Sequence, residues 1–190
     1  MFSLKGIFFW QPRRDFLKLL LSFNFGSKLL LILNYLIWPF LFLVCFLIIK
    51  SSANYFWQIL TAVVIGEIIE RFCKNKFFWK RPLYLKKDQT PTGLVKRWYE
   101  TGSFPSGHTT KATYFFLLIL QTQVFNPVLY LVLTVPLLLF RVLAGFHYPI
   151  DVLGGIIIGT LLWLATHQLI FPLLLVEIIR TIFNFVFFIK

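Results

Sequence analysis

Cysteine, acidic side chains and any leader-like cleavage site are scarce or missing in this sequence, and each shortage narrows the reading. Two cysteines stand in 190 residues. Cys45 and Cys73 share no CxxC or ligand-like spacing and fall in or beside separate apolar runs, so they read as buried thiols and argue against a disulfide or a metal site. Seven Asp and Glu against nineteen Lys and Arg leave a formal charge of +12. Such an excess can mark a nucleic-acid surface, but no nucleic-acid motif appears, and contact with membrane phosphate explains it better. The N-terminal stretch MFSLKGIFFWQPRRDFLKLLLSF has no small-residue cleavage site after its short apolar runs, so it does not read as a cleavable signal peptide. Residues 1–25 are predicted instead as an interfacial segment, with Arg13, Arg14 and Lys18 at headgroups and Phe16, Leu19, Leu20 and Phe23 in the acyl boundary.

What the chain does have is apolar length. Hydrophobic residues make up 58% of it, above the roughly 45–50% of a soluble domain. A bilayer core needs about 20 mostly apolar residues per helical span. Candidate spans fall at 28–49, 54–72, 107–125, 127–145, 150–168 and 170–189. The expectation is an all-α, polytopic membrane bundle of six helices in one domain over residues 1–190. Pro39 should kink the first span, which a membrane helix tolerates when neighbours satisfy the freed backbone groups. Gly155 and Gly159 give the fifth span a small-residue face for close helix packing. Glu177, Arg180, Thr181 and Asn184 place a polar stripe on the sixth, which then either faces the bundle or lies in the interface.

Residues 73–106 form the one long polar segment, and loops of that length in a compact protein are usually functional or disordered. If the first two spans are antiparallel, this segment and residues 141–151 emerge on the same side of the membrane. Three clusters then share that face: Lys74 with Arg81–Pro82, Pro105–Ser106–Gly107–His108, and Arg141 with His147 and Asp151.

Lys74, Arg81 and Arg141 supply three cations, two of them planar forks matched to phosphate oxygens. Ser106 and Gly107 at a helix start would add backbone N–H groups, so the set reads as a phosphate pocket. His147 and Asp151 are four apart, one turn of a helix. Asp151 could hold one ring nitrogen protonated and leave the other as a nucleophile. His108, with no carboxylate nearby in sequence, is free to act as general acid on the leaving oxygen. Glu70 and Lys74, and likewise Glu67 and Arg71, are spaced for ion pairs on one helix, Glu70 being expected to orient Lys74. His167 has no such company and reads as a bundle-facing polar residue.

Lys74-x6-Arg81-Pro82, Pro105-Ser106-Gly107-His108 and Arg141-x5-His147-x3-Asp151 together resemble the three-part signature of the type 2 phosphatidic acid phosphatase family. The likeness runs over about 80 residues from first to last motif. It implies an all-helical fold and removal of a phosphate through phosphohistidine without a metal or other cofactor, with His147 as nucleophile and His108 as acid. Phe140 stands where the family commonly carries Ser. Two helices precede the first motif and two follow the third, whereas many relatives have three and one.

The implied substrate is a membrane lipid phosphate, such as phosphatidylglycerophosphate, phosphatidic acid or lipid A phosphate, with undecaprenyl pyrophosphate as the nearest alternative. Lys86, Lys87, Lys96 and Arg97 are candidate headgroup contacts, with Trp98 and Tyr99 at headgroup depth; an ordinary basic interfacial loop is the competing reading. The rival from another class is a transporter or a non-catalytic lipid-phosphate binder, since intramembrane charges such as Glu67 and Glu177 can mark ion pathways. The intact pair of imidazoles with Asp151 weighs against it. A bacterial plasma membrane is the expected location by analogy. The positive-inside rule would put the basic face in the cytoplasm, while many bacterial relatives work on the other side.

Overall fold

The structure is a computed structural model and describes residues 4–11, 22–23, 25–76, 78–82 and 101–187. Among them all regular structure is helical: α1 (Leu4–Phe8), α2 (Gly26–Tyr35), α3 (Ile37–Ser51), α4 (Asn54–Lys76), α5 (Gly107–Thr122), α6 (Pro127–Leu143), α7 (Pro149–Thr166) and α8 (Leu173–Phe187). Each expected apolar run has become a helix. The first is split at Leu36, and Pro39 accounts for the break, because its ring crowds the carbonyl four residues earlier, that of Tyr35.

Two stretches, Lys28–Ser51 and Pro149–Thr166, are helical, long and apolar enough to cross a membrane, and Pro127–Leu143 is apolar but shorter. α4 misses that standard because its last turns carry Glu67, Glu70, Arg71 and Lys74. Large apolar side chains face outward along several helices, among them Ile32, Phe42, Val132, Ile157 and Leu161. So much exposed apolar surface needs an apolar surround.

The helix starts follow local chemistry. Asn126 caps α6 by accepting the Leu129 N–H at 2.9 Å, with Pro127 in the first turn, where its missing N–H costs nothing. Pro149 opens α7 in the same way.

The innermost pair is α5 and α7. A Cβ on Gly155 would lie 2.7 Å from Thr109 Cβ, and one on Gly159 would lie 2.5 Å from the Thr110 carbonyl oxygen. The small face of α7 therefore meets the backbone of α5, as its spacing predicts. Val44, Ile48, Leu118, Ile119 and Tyr130 fill the adjoining core, and the Tyr130 hydroxyl donates to the Ala112 carbonyl at 2.8 Å.

Far from the motif residues, Asn54 and Gln58 of α4 donate to the Leu169 carbonyl beyond α7, and Trp57 donates to the Leu175 carbonyl of α8. α8 has no buried residue. Its stripe residues Glu177 and Arg180 pair with each other at 2.7 Å, and Arg180 and Asn184 line a cavity with Lys50, Ser51 and Ser52 at the end of α3, so part of the stripe faces the bundle. Beside Arg180 on that helix, Phe183 and Phe187 hold Phe46. At the N-terminus only α1 and its neighbours bear on the expected interfacial segment; Arg13, Arg14, Phe16, Lys18, Leu19 and Leu20 lie outside the described residues.

Candidate active site

The C-terminal ends of α4 and α6 and the N-terminal ends of α5 and α7 meet at one end of the bundle, around a cavity of about 320 Å³. Lys74, Arg81, Gly107, His108, Arg141 and His147 all line it. The three sequence clusters thus share one pocket, as the crossing argument requires.

Arg141 is its hub. The Arg141 side chain is 6% exposed. One guanidinium nitrogen, Nη1, reaches Asn34 Oδ1 and lies 3.4 Å from His108 Nε2, and the other, Nη2, lies 3.5 Å from His147 Nε2. The two imidazoles therefore present the same ring nitrogen to one cation. Gly145, at φ 77°, makes the turn that returns the chain, and the Arg141 carbonyl accepts the N–H groups of Phe146 and His147.

His147 is 2% exposed. Its Nδ1 lies 3.0 Å from the Ser103 carbonyl and 3.5 Å from Asp151 Oδ2. Two acceptors at Nδ1 require the proton there, which leaves a lone pair on Nε2. Asp151 is thus the more distant of two orienting groups. Its Oδ2 accepts the Tyr148 N–H at 2.7 Å and its Oδ1 the Trp79 indole N–H at 2.9 Å. Burial, then the charges of Arg81 and Arg141, hold the His147 imidazole well below its ordinary titration range, so the ring stays neutral.

Arg81 is 5% exposed. It donates to the Phe146 carbonyl at 3.2 Å, and burial lowers its pKa to about 10, still cationic at neutral pH. The buried Nε atoms of Arg81 and Arg141 have no hydrogen-bond partner among the described residues. Buried donors without acceptors are costly, and an oxyanion is the ligand that would answer them.

The chain is matched over residues 55–174 by the pattern that defines the PAP2 superfamily. It belongs to that superfamily. No curated protein and no solved structure matches it. PAP2 members are phosphatases acting on phosphate esters, often of lipids, so the chain is assigned to an enzyme family. With its two long apolar helices, membership also points to membrane association.

Within this PAP2 chain one expected phosphate donor, the backbone N–H of Ser106, is corrected. Ser106 does not offer its backbone N–H to the pocket, because that group donates to the Asp151 carbonyl at 3.0 Å, and its hydroxyl accepts from Thr109 at 3.0 Å. The start of α5 is used to tie α5 to α7. Gly107 does line the pocket, but the carboxylate of Glu70 lies against it, where a Cβ would be. Glu70 pairs with Lys74 as its spacing predicts. Glu67, however, pairs with Lys111 of α5 at 2.7 Å. Arg71, the expected partner on its own helix, is exposed. Lys86, Lys87, Lys96 and Arg97 lie outside the described residues.

Four contributors escaped the sequence reading. Lys111 bridges Glu67 and Glu70, Trp38 sets its ring edge-on to His108 at 5.1 Å, Asn34 holds Arg141, and the Ser103 carbonyl holds His147. Asn34 is the one with a usable signal, a lone amide inside an apolar run. It provides Arg141 with an oxygen acceptor, while the neighbouring Phe140 is 8% exposed and apolar.

Proposed function

We propose that the chain is a membrane-embedded lipid phosphatase that removes a phosphate from a lipid monoester or diphosphate through a phosphohistidine intermediate. The observation that carries this reading is the placement of the Arg141 guanidinium between the Nε2 atoms of His108 and His147. A phosphate bound to that fork has one imidazole available for attack and another for the leaving oxygen.

His147 Nε2 attacks phosphorus with its lone pair as the bond to the leaving oxygen breaks, and His108 gives that oxygen a proton. The anionic phosphate supplies the negative charge that lets His108 carry a proton beside Arg141. Arg81, Arg141 and Lys74 stabilise the charge on the transferring group. Water then attacks the phosphorus and gives a proton to His108 as the bond to His147 Nε2 breaks and its electron pair returns to that nitrogen, releasing inorganic phosphate and free His147. The residues that do this work are protein groups alone, so the reaction is proposed to need no metal.

The six helical runs from α2–α3 to α8 are read as six crossings of a bacterial plasma membrane. Contacts of α4's first turn with the chain beyond α7, opposite the motif end, support the alternation of direction. Phosphatidylglycerophosphate, phosphatidic acid and lipid A phosphate are the proposed substrate classes, with undecaprenyl pyrophosphate as the alternative.

The test is phosphate release by the purified protein in detergent on these four lipids, with EDTA present and His147→Ala as control. Release that survives EDTA and disappears in the variant supports the reading. Release in the variant at the wild-type rate sinks it.

A further inference from the structure

We infer that Trp79 is a positioning residue that holds both groups orienting the nucleophile. It occupies one of the unspecified positions between Lys74 and Arg81, and nothing in the signature assigns it a role. The inference rests on the phosphatase reading, in which His147 Nε2 attacks phosphorus.

Aim of that lone pair depends on Nδ1, which faces the Ser103 carbonyl and Asp151 Oδ2. Trp79 holds both. Its indole N–H donates to Asp151 Oδ1 at 2.9 Å, fixing the rotation of the carboxylate whose other oxygen faces the imidazole. Its backbone carbonyl accepts the Ser103 N–H at 3.3 Å, anchoring the residue whose own carbonyl takes the Nδ1 proton. One residue in the first motif loop thus connects to the ring through two routes.

The indole is itself fixed by rings. Phe104 packs on it at 5.3 Å and Phe9 edge-on at 5.2 Å. Phe9 also packs edge-on to Tyr148 at 5.2 Å, and Gln11 donates to the Tyr148 hydroxyl at 3.2 Å. Tyr148 follows the nucleophile directly, and its N–H donates to Asp151 Oδ2. Residues after α1 therefore bridge Trp79 and the nucleophile's own loop from outside the pocket. An indole that only filled space would not need its N–H on a fully buried carboxylate. A neutral donor on a carboxylate of this kind forms one of the stronger hydrogen bonds available to it.

The test is a double-mutant cycle on kcat, because only a residue acting through Asp151 loses its effect when Asp151 is already changed. Trp79→Phe keeps the ring contacts and removes the donor. It should lower kcat about ten-fold with KM within two-fold of wild type, since the phosphate ligands are untouched. Combined with Asp151→Asn, it should cost less than two-fold beyond Asp151→Asn alone. Phe9→Ala, at a half-exposed position, gives a milder second cycle should Trp79→Phe fold poorly: about three-fold alone and no further loss with Asp151→Asn. A full ten-fold loss in both backgrounds overturns the inference, as does wild-type kcat in Trp79→Phe. Absence of phosphate release by the wild-type protein on every lipid would overturn the phosphatase reading and this inference with it. Wild-type release with additive variants overturns the role of Trp79 alone.

Discussion

Replacing Gly107 by alanine should destabilise the protein, although glycine-to-alanine in a helix ordinarily helps. The ordinary gain is up to about 1 kcal/mol. Here the added Cβ would fall on the Glu70 carboxylate, overlapping both oxygens and the carbon between them. Glu70 is the end of a flexible side chain, but it is pinned by Lys74 and Lys111, with the three side chains only 15–22% exposed. Moving it breaks at least one charge-assisted hydrogen bond, worth about 1.5–3 kcal/mol when shielded. The net loss is then about 0.5–2 kcal/mol, or a drop in Tm of about 1–8 °C for a chain of this size. Thermal unfolding in detergent, followed by tryptophan fluorescence, measures it. Lys74 should lose its fixed position too, so KM for the phosphate ester should rise. The decisive comparison is the same substitution in Glu70→Ala, where the methyl has room and Gly107→Ala should be neutral or stabilising. If Gly107→Ala raises Tm in the wild-type background, or costs as much in Glu70→Ala, the steric account is wrong.

Arg141→Lys should lower kcat by about 10²–10³, because a single ammonium cannot reproduce a fork that meets Asn34, His108 and His147 at once; phosphate release at saturating substrate checks it, and a loss below five-fold would refute the hub role. Stability should fall as pH drops below 6.5, the ordinary value for His147. The folded state holds this ring neutral, so the unfolded chain binds the extra proton and gains up to about 1.4 kcal/mol per pH unit. Unfolding between pH 7.5 and 5 should show a slope that His147→Gln reduces by one proton, and an unchanged slope would contradict the buried neutral ring.

The elements that could be read in advance are those whose cause is local. Pro39 marks its own break, Gly155 and Gly159 mark a close approach, and His108 and His147 fall beside helix starts set by the Ser106–Gly107 turn and Pro149. The polar partners were harder to see because their causes are distant. Asn34 meets Arg141 across 107 positions, and it comes from a helix before the matched region. The Ser103 carbonyl is a backbone group that every residue possesses, so no side-chain pattern announces it. The backbone N–H of Ser106 was misassigned for a related reason. A helix start offers N–H groups in general, but here one is consumed by the Asp151 carbonyl, which only the docking of α5 on α7 reveals.

That docking bears on what sets the distance between the two imidazoles. The glycine face of α7 rests on the main chain of α5, and the Ser106 N–H to Asp151 carbonyl bond locks the two helix starts. His108 rides on one of these starts and His147 sits just before the other, so their spacing is set by main-chain contact rather than by interchangeable side chains. Substitutions among the exposed apolar side chains of α3 or α8 then leave that separation untouched, giving the two imidazoles a fixed gauge.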